Sequence, residues 1–525
     1  MKKINIILTL FGLSVAFGAT AQENVSAAKP AEGVRLPEIE INQSRSLWFN
    51  SNNVAGMSVM PLNRYSIVEL GYNMGSGDFK MTQDGEKENT LRFGTDGATN
   101  IGKTYLWGSF GYKNIVEKET KFITNIYDPY RDMPYYVADT TLSKFKKQEY
   151  DLNVKVAFPQ MWDFVTAGCD LEYITRTGAK QRDPRSVTYY LTVSATPSLL
   201  FELSENHNIG VNFNYKYLYE RSTFNRSDTE VDCPVFVMRG LGNYTADFVS
   251  GSIGVGTFFY KGNRIGGGLQ YGYTGDGAFS ALLDAQYSYN VEDAFQSPTK
   301  AENVGSVKQN LWSGKLQLMN DGDSFLHKVT LSYSDKQTDG IEYIQELDNS
   351  FEVSQWVTLA KYVRSGYSYK EAQLNYEIYA KKNVGYSWRA GLNGEYSDKY
   401  DEYYLPASTL KAENLMFNVY GKKNFVLCGK SSLLAGINVG YNANLSGYYN
   451  YSGSYSESVV VKEMYANDIL FMASDYVKMG AELSFSTLVG SKTSLFLQAA
   501  CQYYSPCDSQ FDKRMFTDFS LGITF

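Results

Sequence analysis

Several things that would point to other protein classes are scarce in this sequence. Its 525 residues include two histidines, twelve prolines and five cysteines. Mean hydropathy is −0.32, and past residue 21 no apolar stretch approaches the roughly 18 residues a membrane-crossing helix needs. A bundle of transmembrane helices is thereby excluded. A soluble chain of this length would divide into several domains, yet no Pro/Ser-rich linker or shift in charge density marks a boundary. The cysteines (Cys169, Cys233, Cys428, Cys501, Cys507) have neither metal-ligand spacing nor the pattern of a disulfide framework. Cys233 and Cys507 fall in expected outer loops, where free thiols are the expectation and a disulfide between them the alternative. There is no basic surplus either. With 49 Lys+Arg against 56 Asp+Glu the formal charge is −7, or −9 without Lys2 and Lys3, which disfavours nucleic acid as a partner.

What the chain does have begins with an export leader. Residues 1–21 combine Lys2 and Lys3, an apolar run from Ile6 to Phe17 and the small-x-small site Ala19-Thr20-Ala21, so the mature protein is expected to start at Gln22. The apolar run is too short to span a bilayer. Beyond it, glycine (45), tyrosine (43) and phenylalanine (30) are abundant, and apolar and polar residues alternate with period two. Successive side chains of a strand point to opposite faces. On 150–158, Tyr150, Leu152, Val154, Val156 and Phe158 oppose Asp151, Asn153, Lys155 and Ala157. Segments 209–220, 388–396 and 477–485 repeat the pattern.

These segments run to about 10–14 residues, enough to cross a bilayer at a tilt, whereas strands of soluble proteins average about 5–6. Short turns are expected near 100–103, 159–163, 204–207, 261–263, 321–324, 381–385 and 489–493. Long polar segments at 114–146, 222–243, 337–369, 399–411 and 445–474 alternate with them. Short turns on one side and long loops on the other characterise transmembrane barrels. The expected fold is therefore all-β: an antiparallel up-and-down barrel of about 18 strands, or 16, over residues 62–525. Residues 22–61 precede it as a periplasmic lead-in or a lumen plug. An even strand number requires dropping one of about nineteen candidate segments, and 278–290 is set aside as outer-loop structure within 275–306.

The last segment is the most specific. Met515, Thr517, Phe519, Leu521, Ile523 and Phe525 share one face, and nothing follows Phe525. A C-terminal aromatic on an alternating strand resembles the signal by which the barrel-assembly machinery recognises outer-membrane proteins. Such a strand can pair with an exposed edge and then close the barrel. Phe519, Leu521, Ile523 and Phe525 are assigned to it, and the expected location is the outer membrane of a Gram-negative bacterium, with the lipid bilayer as a partner.

Residues 50–56 (NSNNVAG) and 62–79 (LNRYSIVELGYNMGSGDF) resemble a barrel family of unassigned function from Bacteroidales outer membranes, over about Leu47 to Phe525. The Asn-rich, Ala-Gly segment before the first strand also resembles fatty-acid-type outer-membrane transporters, which implies an N-terminal segment folded into the lumen. Neither resemblance carries catalytic residues or a cofactor to this chain.

Barrel enzymes usually rely on histidine as base. His207 falls in a short periplasmic turn and His327 at lipid-facing parity near the periplasmic rim, so catalysis is disfavoured. No metal or cofactor is expected. The charged residues at lumen parity are Asp151, Lys155, Asp170, Glu172, Arg176, Lys216, Glu220, Lys315, Lys328, Glu377, Arg389, Glu395, Lys478, Glu482 and Asp518. Eight acids face seven bases, which argues against a pore selective for one sign of ion. A cross-linked polar lining is the plain alternative to a permeation path. Tyr105, Trp107, Tyr217, Tyr219 and Trp388 are expected in the headgroup girdle. Tyr448, Tyr449, Tyr451 and Tyr455 of the 445–474 loop are candidate outer contacts, with packing over the barrel mouth as the structural alternative. The functional expectation is a porin-like channel or transporter for small solutes. The rival is a closed accessory barrel that works through its outer loops, with an outer-membrane receptor as a candidate partner.

Overall fold

The computed structural model describes residues 35–525 except 229, 251–253, 276, 298–299, 351–353, 383–384, 429, 491 and 508–509. The leader at 1–21 and the first part of the 22–61 segment lie outside the described residues.

A sheet immersed in lipid cannot leave edge N–H and C=O groups unpaired. Here eighteen antiparallel strands form one sheet. The last strand, Arg514–Thr524, pairs with the first, Tyr65–Gly77, from Ile67↔Thr524 to Gly77↔Arg514. Phe525 extends the seam. Its N–H donates to the Ser66 carbonyl at 3.0 Å and its carbonyl accepts from Ser66 N–H at 2.8 Å. No edge is left, and the barrel is closed.

The alternation sorts side chains as expected. Leu171 (49% exposed), Phe213 (52%), Leu269 (64%), Ile437 (68%) and Leu497 (60%) point outward. Asp284, Gln270, Gln317 and Lys328 lie at the opposite parity and are buried inside. An apolar exterior around a polar interior is stable only with lipid outside: the protein is an outer-membrane β-barrel. Barrel strands range from 11 residues (Arg514–Thr524) to 27 (Gln355–Lys381), and crossing needs only about 9–11. The surplus projects as ribbons on the side away from the short turns, such as Ile101–Thr104, Ser204–His207 and Val489–Thr493.

Three expectations fail here. Residues 278–290 are not loop, because Phe279–Gln296 is a full barrel strand paired with Phe258–Thr274 and Glu302–Asp321. The turn placed at 261–263 is strand interior. Lys261 resembles a turn residue, but it sits at lipid-facing parity with its amine 5.5 Å and 5.9 Å from the Phe259 and Phe295 rings, its long stem carrying the charge clear of the apolar band. The segments 337–369 and 399–411 are mostly paired strand too, continuing above the membrane in Phe325–Asp348, Gln355–Lys381, Tyr386–Tyr404 and Ala407–Cys428. Polar faces on both sides of these ribbons look like loop in sequence because neither side meets lipid.

Leu269 tests the lipid-facing assignment. It lies mid-strand opposite Val211 and Ala285, so Leu269→Arg should cost about 2–4 kcal/mol in urea unfolding from bilayers, while Ile209→Arg near the short-turn rim should cost under about 1 kcal/mol.

Candidate lumen site

Residues 35–60 enter the barrel from the short-turn end. Helix Leu36–Arg45 starts with a proline in its first turn and ends on a basic residue, both of which suit helix polarity. Two 3-10 turns follow, Trp48–Asn50 and Val54–Ser58. The carbonyls at and beyond the helix end have no intrahelical partner, and inward-facing wall residues supply donors. Lys328 Nζ donates to the Ser44 carbonyl (2.9 Å), Gln317 Nε2 to Leu47 (3.1 Å), Lys155 Nζ to Phe49 (3.3 Å) and Lys315 Nζ to Asn50 (3.1 Å). Asn52 donates through backbone and side chain to Asp284, at 3.0 and 3.1 Å. Asn53 Nδ2 reaches the Leu199 carbonyl and Gln270 Oε1, both at 2.9 Å. At the helix, Glu40 lies between Arg389 (3.7 Å) and Lys422 (3.3 Å) and accepts from the Tyr386 hydroxyl.

Inward glycines make room for this segment. A Cβ on Gly272 would stand 2.6 Å from Trp48, one on Gly168 2.6 Å from the Ala55 nitrogen, and one on Gly210 2.5 Å from Asn53 Nδ2. Trp48, Leu47 and Ala55 are buried against Leu200, Leu282, Met319 and Tyr379. Val54 and Met57 pack against Tyr65, Tyr105 and Ala157. Two girdle expectations are corrected by this packing. Tyr105 is 4% exposed and inside, and Trp107 stacks edge-on to Phe49 at 5.5 Å while its Nε1 donates to Tyr65 Oη. Their parity faces the lumen, and aromatics there cover the inserted segment. Trp388, beside Phe325, remains at the rim.

The outer end is closed differently. Segment 121–142, the short strands Cys233–Gly240 and Asn243–Val249, and the helical stretch Val460–Met472 share one apolar core that includes Phe122, Ile126, Tyr135, Val237, Val460 and Met464. Buried charges pin it to the wall. Arg131 pairs with Glu220 and, at 2.9 Å, with Glu292, and its guanidinium lies 4.7 Å from the Tyr260 ring centre. Lys180 pairs with Asp139, and Lys336 with Asp132 at 2.5 Å. Nothing local in the sequence marks Arg131 as the partner of Glu220 and Glu292, and with 278–290 set aside the lumen parity of Glu292 went unused.

The other sequence-singled residues are spread through the wall. Lys155 faces Asp170 (3.9 Å), Lys216 faces Glu172 (3.8 Å), Arg176 faces Glu149 (3.7 Å), and Glu482 pairs with Lys422. Lys478 lies 5.7 Å over the Tyr504 ring. Glu395 stands opposite Gln373 and Met416. Asp151 and Glu172 line a cavity of about 540 Å³ with Glu69, Arg92, Asp96 and Lys113. A smaller cavity of about 240 Å³ is lined by Asn52, Asp284, Gln286, Lys315 and Glu371. Tyr448, Tyr449 and Tyr451 belong to strand Ser431–Tyr451, not to a loop. Tyr449 donates to the Leu241 carbonyl and stacks on Tyr465 within the cap, and Tyr455 stacks on Tyr244 at 4.4 Å. Tyr448 (39%) and Tyr455 (40%) keep exposed surface. His207 and His327 bond the Tyr271 and Tyr376 hydroxyls at 2.7 and 2.9 Å. Among the described residues no His/Cys/Asp/Glu group is arranged to hold a metal, and Cys169, Cys233, Cys501 and Cys507 are unpaired.

The seat of the inserted segment can be tested sterically. Gly272→Leu leaves no room for the Trp48 indole, so the segment should become accessible to protease from the periplasmic side while the barrel stays folded.

The cap should respond to pH. Asp468, buried in helix Ala466–Met472, accepts from Thr82 N–H at 2.8 Å. Burial outweighs that bond and pushes its carboxyl up from 3.8 to about 6. Burial also raises Asp84, while Lys80, Tyr130, Tyr136 and Tyr465 surround the group. A carboxylate raised on docking binds protons more readily in the docked state, so docking strengthens as pH falls through about 6 toward 3.8. Protection factors over 460–472, taken against the intrinsic exchange rate at each pH, should therefore rise between neutral pH and pH about 5, and Asp468→Asn should flatten that dependence.

Comparison with solved structures finds matches at low identity. The FrpB iron transporter from Neisseria meningitidis is 7% identical, with a TM-score of 0.43, over 89% of this chain and 82% of that one. BauA, the ferric preacinetobactin receptor from Acinetobacter baumannii, is 10% identical, with a TM-score of 0.41, over 88% and 80%. The copper transporter OprC is 9% identical, with a TM-score of 0.37, over 88% and 81%. At such identity these say nothing of what this chain does. No curated protein matches the sequence. A family model does match residues 54–525, the whole barrel and the end of the inserted segment, and the chain belongs to that family, described as a family of unknown function (DUF6850).

Proposed function

We propose that this barrel is a gated channel for small polar solutes, held shut in the present structure. The supporting observation is polar space between two separate closures, with residues 35–60 below and the 121–142/233–249/460–472 cap above. An eighteen-strand wall is wide enough to enclose a path, and a barrel with only a structural lining would have no need for a dedicated seat for its own N-terminal segment. The lower closure acts as the plug: lysine-to-carbonyl bonds, charge-assisted and worth about 1.5–3 kcal/mol each, can be exchanged for water one at a time. The C-terminal face of Phe519, Leu521, Ile523 and Phe525, exposed to lipid at the closing seam, is read as the segment offered to the assembly machinery.

One observation favours the rival reading of a surface-acting accessory barrel. Strand Gln355–Lys381 pairs with its neighbour Tyr386–Tyr404 only from Ser365 onward. The ribbon of 342–348 and 355–364 therefore stands above the barrel, with Ile344, Leu359 and Tyr362 exposed. A receptor partner captured by the intact protein and lost when that ribbon is shortened would support it.

Planar-bilayer recording separates the two. Intact protein should pass little current. Deleting 22–60 together with shortening 452–473 should open steady conductance, with folding checked by resistance to detergent at low temperature. A folded double variant that stays silent would sink the channel reading.

A further inference from the structure

The larger lumen cavity carries a more specific reading, which rests on the channel proposal for its purpose but not for its test. Its volume of about 540 Å³ falls in the range of about 300–1,000 Å³ typical of small-molecule sites. Four carboxylates (Glu69, Asp96, Asp151, Glu172) and two cations (Arg92, Lys113) line it. Both cations are already engaged. Arg92 donates to Glu69 at 2.6 Å and to Asp518 at 2.9 Å, and Lys113 donates to Glu149 at 3.1 Å. Arg176, the other cation near Asp151, also lies against Glu149, at 3.7 Å.

The acceptors are engaged less completely. Asp96 accepts from Tyr65 Oη (2.8 Å), and Glu172 accepts from Ser194 Oγ (3.2 Å) and faces Lys216. Asp151 Oδ1 and Asn153 Oδ1, two residues apart on one face of strand Ser143–Ala157, are buried and have no hydrogen-bond donor. Neither oxygen reaches the cavity surface itself, but both residues line the cavity, and a buried acceptor without a donor costs about 1–3 kcal/mol, more when charged, so a small turn of either side chain toward a ligand that brings donors is favoured. The wall is kept bare for it. Gly94 and Gly111 are register partners, and a Cβ on Gly94 would meet no atom within 4 Å.

We infer that this cavity binds a small solute with a positive charge and several hydroxyl or amine donors, and that Asp151 and Asn153 are the groups that receive it. An anionic solute is disfavoured, because the cations that would bind it are already engaged by Glu69, Asp518 and Glu149.

Three sugars of similar shape but different charge test this by calorimetric titration of the intact barrel in detergent. Glucosamine should bind about tenfold more tightly than glucose, the scale of one charge-assisted hydrogen bond, and glucuronate should give no measurable heat. Asp151→Asn should bring glucosamine down to the level of glucose. Gly94→Leu fills open space without touching a charge and should weaken both. Equal affinity for all three sugars, no binding of any at millimolar concentration, or an Asp151→Asn variant that still prefers glucosamine would each overturn the inference. Binding without uptake of glucosamine into proteoliposomes from the plug- and cap-deleted variant would leave this site standing and reject the channel.

Discussion

Backbone pairing in lipid governs this molecule. Every N–H and C=O at membrane depth needs a partner within the protein, and the seam between the first and last strands, carried to its end by Phe525 and Ser66, meets that need. The rest follows from it. Closing eighteen strands fixes a wide interior, and lipid on the outside sends the polar half of every strand inward. A ring of that width cannot be filled from its own wall, so other parts of the chain occupy it.

The two occupying parts are held by different physics. At the short-turn end the inserted segment bonds through its own carbonyls, which accept from Lys155, Lys315, Lys328 and Gln317, and through the side chains of Glu40, Asn52 and Asn53, and the inward glycines are recesses for its Trp48, Asn53 and Ala55. At the outer end the cap has an apolar core and buried ion pairs. Removing one member of a pair such as Arg131 with Glu220 and Glu292 leaves uncompensated charge, at a cost of about 3–5 kcal/mol. The outer closure therefore behaves as a folded unit that moves whole or not at all, and the lower one as a set of separable bonds around one anchored indole.

How much of this was legible in the sequence depended on how local the determining contacts are. Strand direction, lipid parity and the closing role of the last strand follow from period-two alternation, as at 150–158 and 515–525, because each residue's environment is set by its neighbours two positions away. Where lipid is absent the rule loses its contrast, and the ribbons above the membrane at 337–369 and 399–411 look like loop. Lys261 and Asn263 gave a turn signal because headgroup height and a turn favour the same polar residues, and that displaced Phe279–Gln296 from the count. Tyr105 and Trp107 were assigned by residue type when their parity already pointed inward. The site contacts were beyond reach altogether. Asn53 meets Gln270 across 217 positions and Arg131 meets Glu220 across 89, separations fixed by barrel stagger.

The charge of the lumen shows the same dependence on distant contacts. Eight acids and seven bases at lumen parity sum to near neutrality, which suggests a lining with no preference. A sum is the wrong measure inside a narrow polar space, where a charge acts on a passing solute only to the extent that its neighbours leave it uncompensated. Glu149, which faces Lys113, Arg176 and the Tyr127 hydroxyl, offsets half of the positive charge on one side of the larger cavity, and Glu69 with Asp518 outweighs that of Arg92. That leaves the cavity with acceptors in excess of free positive charge. A wall that is balanced overall can thus be one-signed where it matters, and the sign is decided by cross-strand pairing, not by composition.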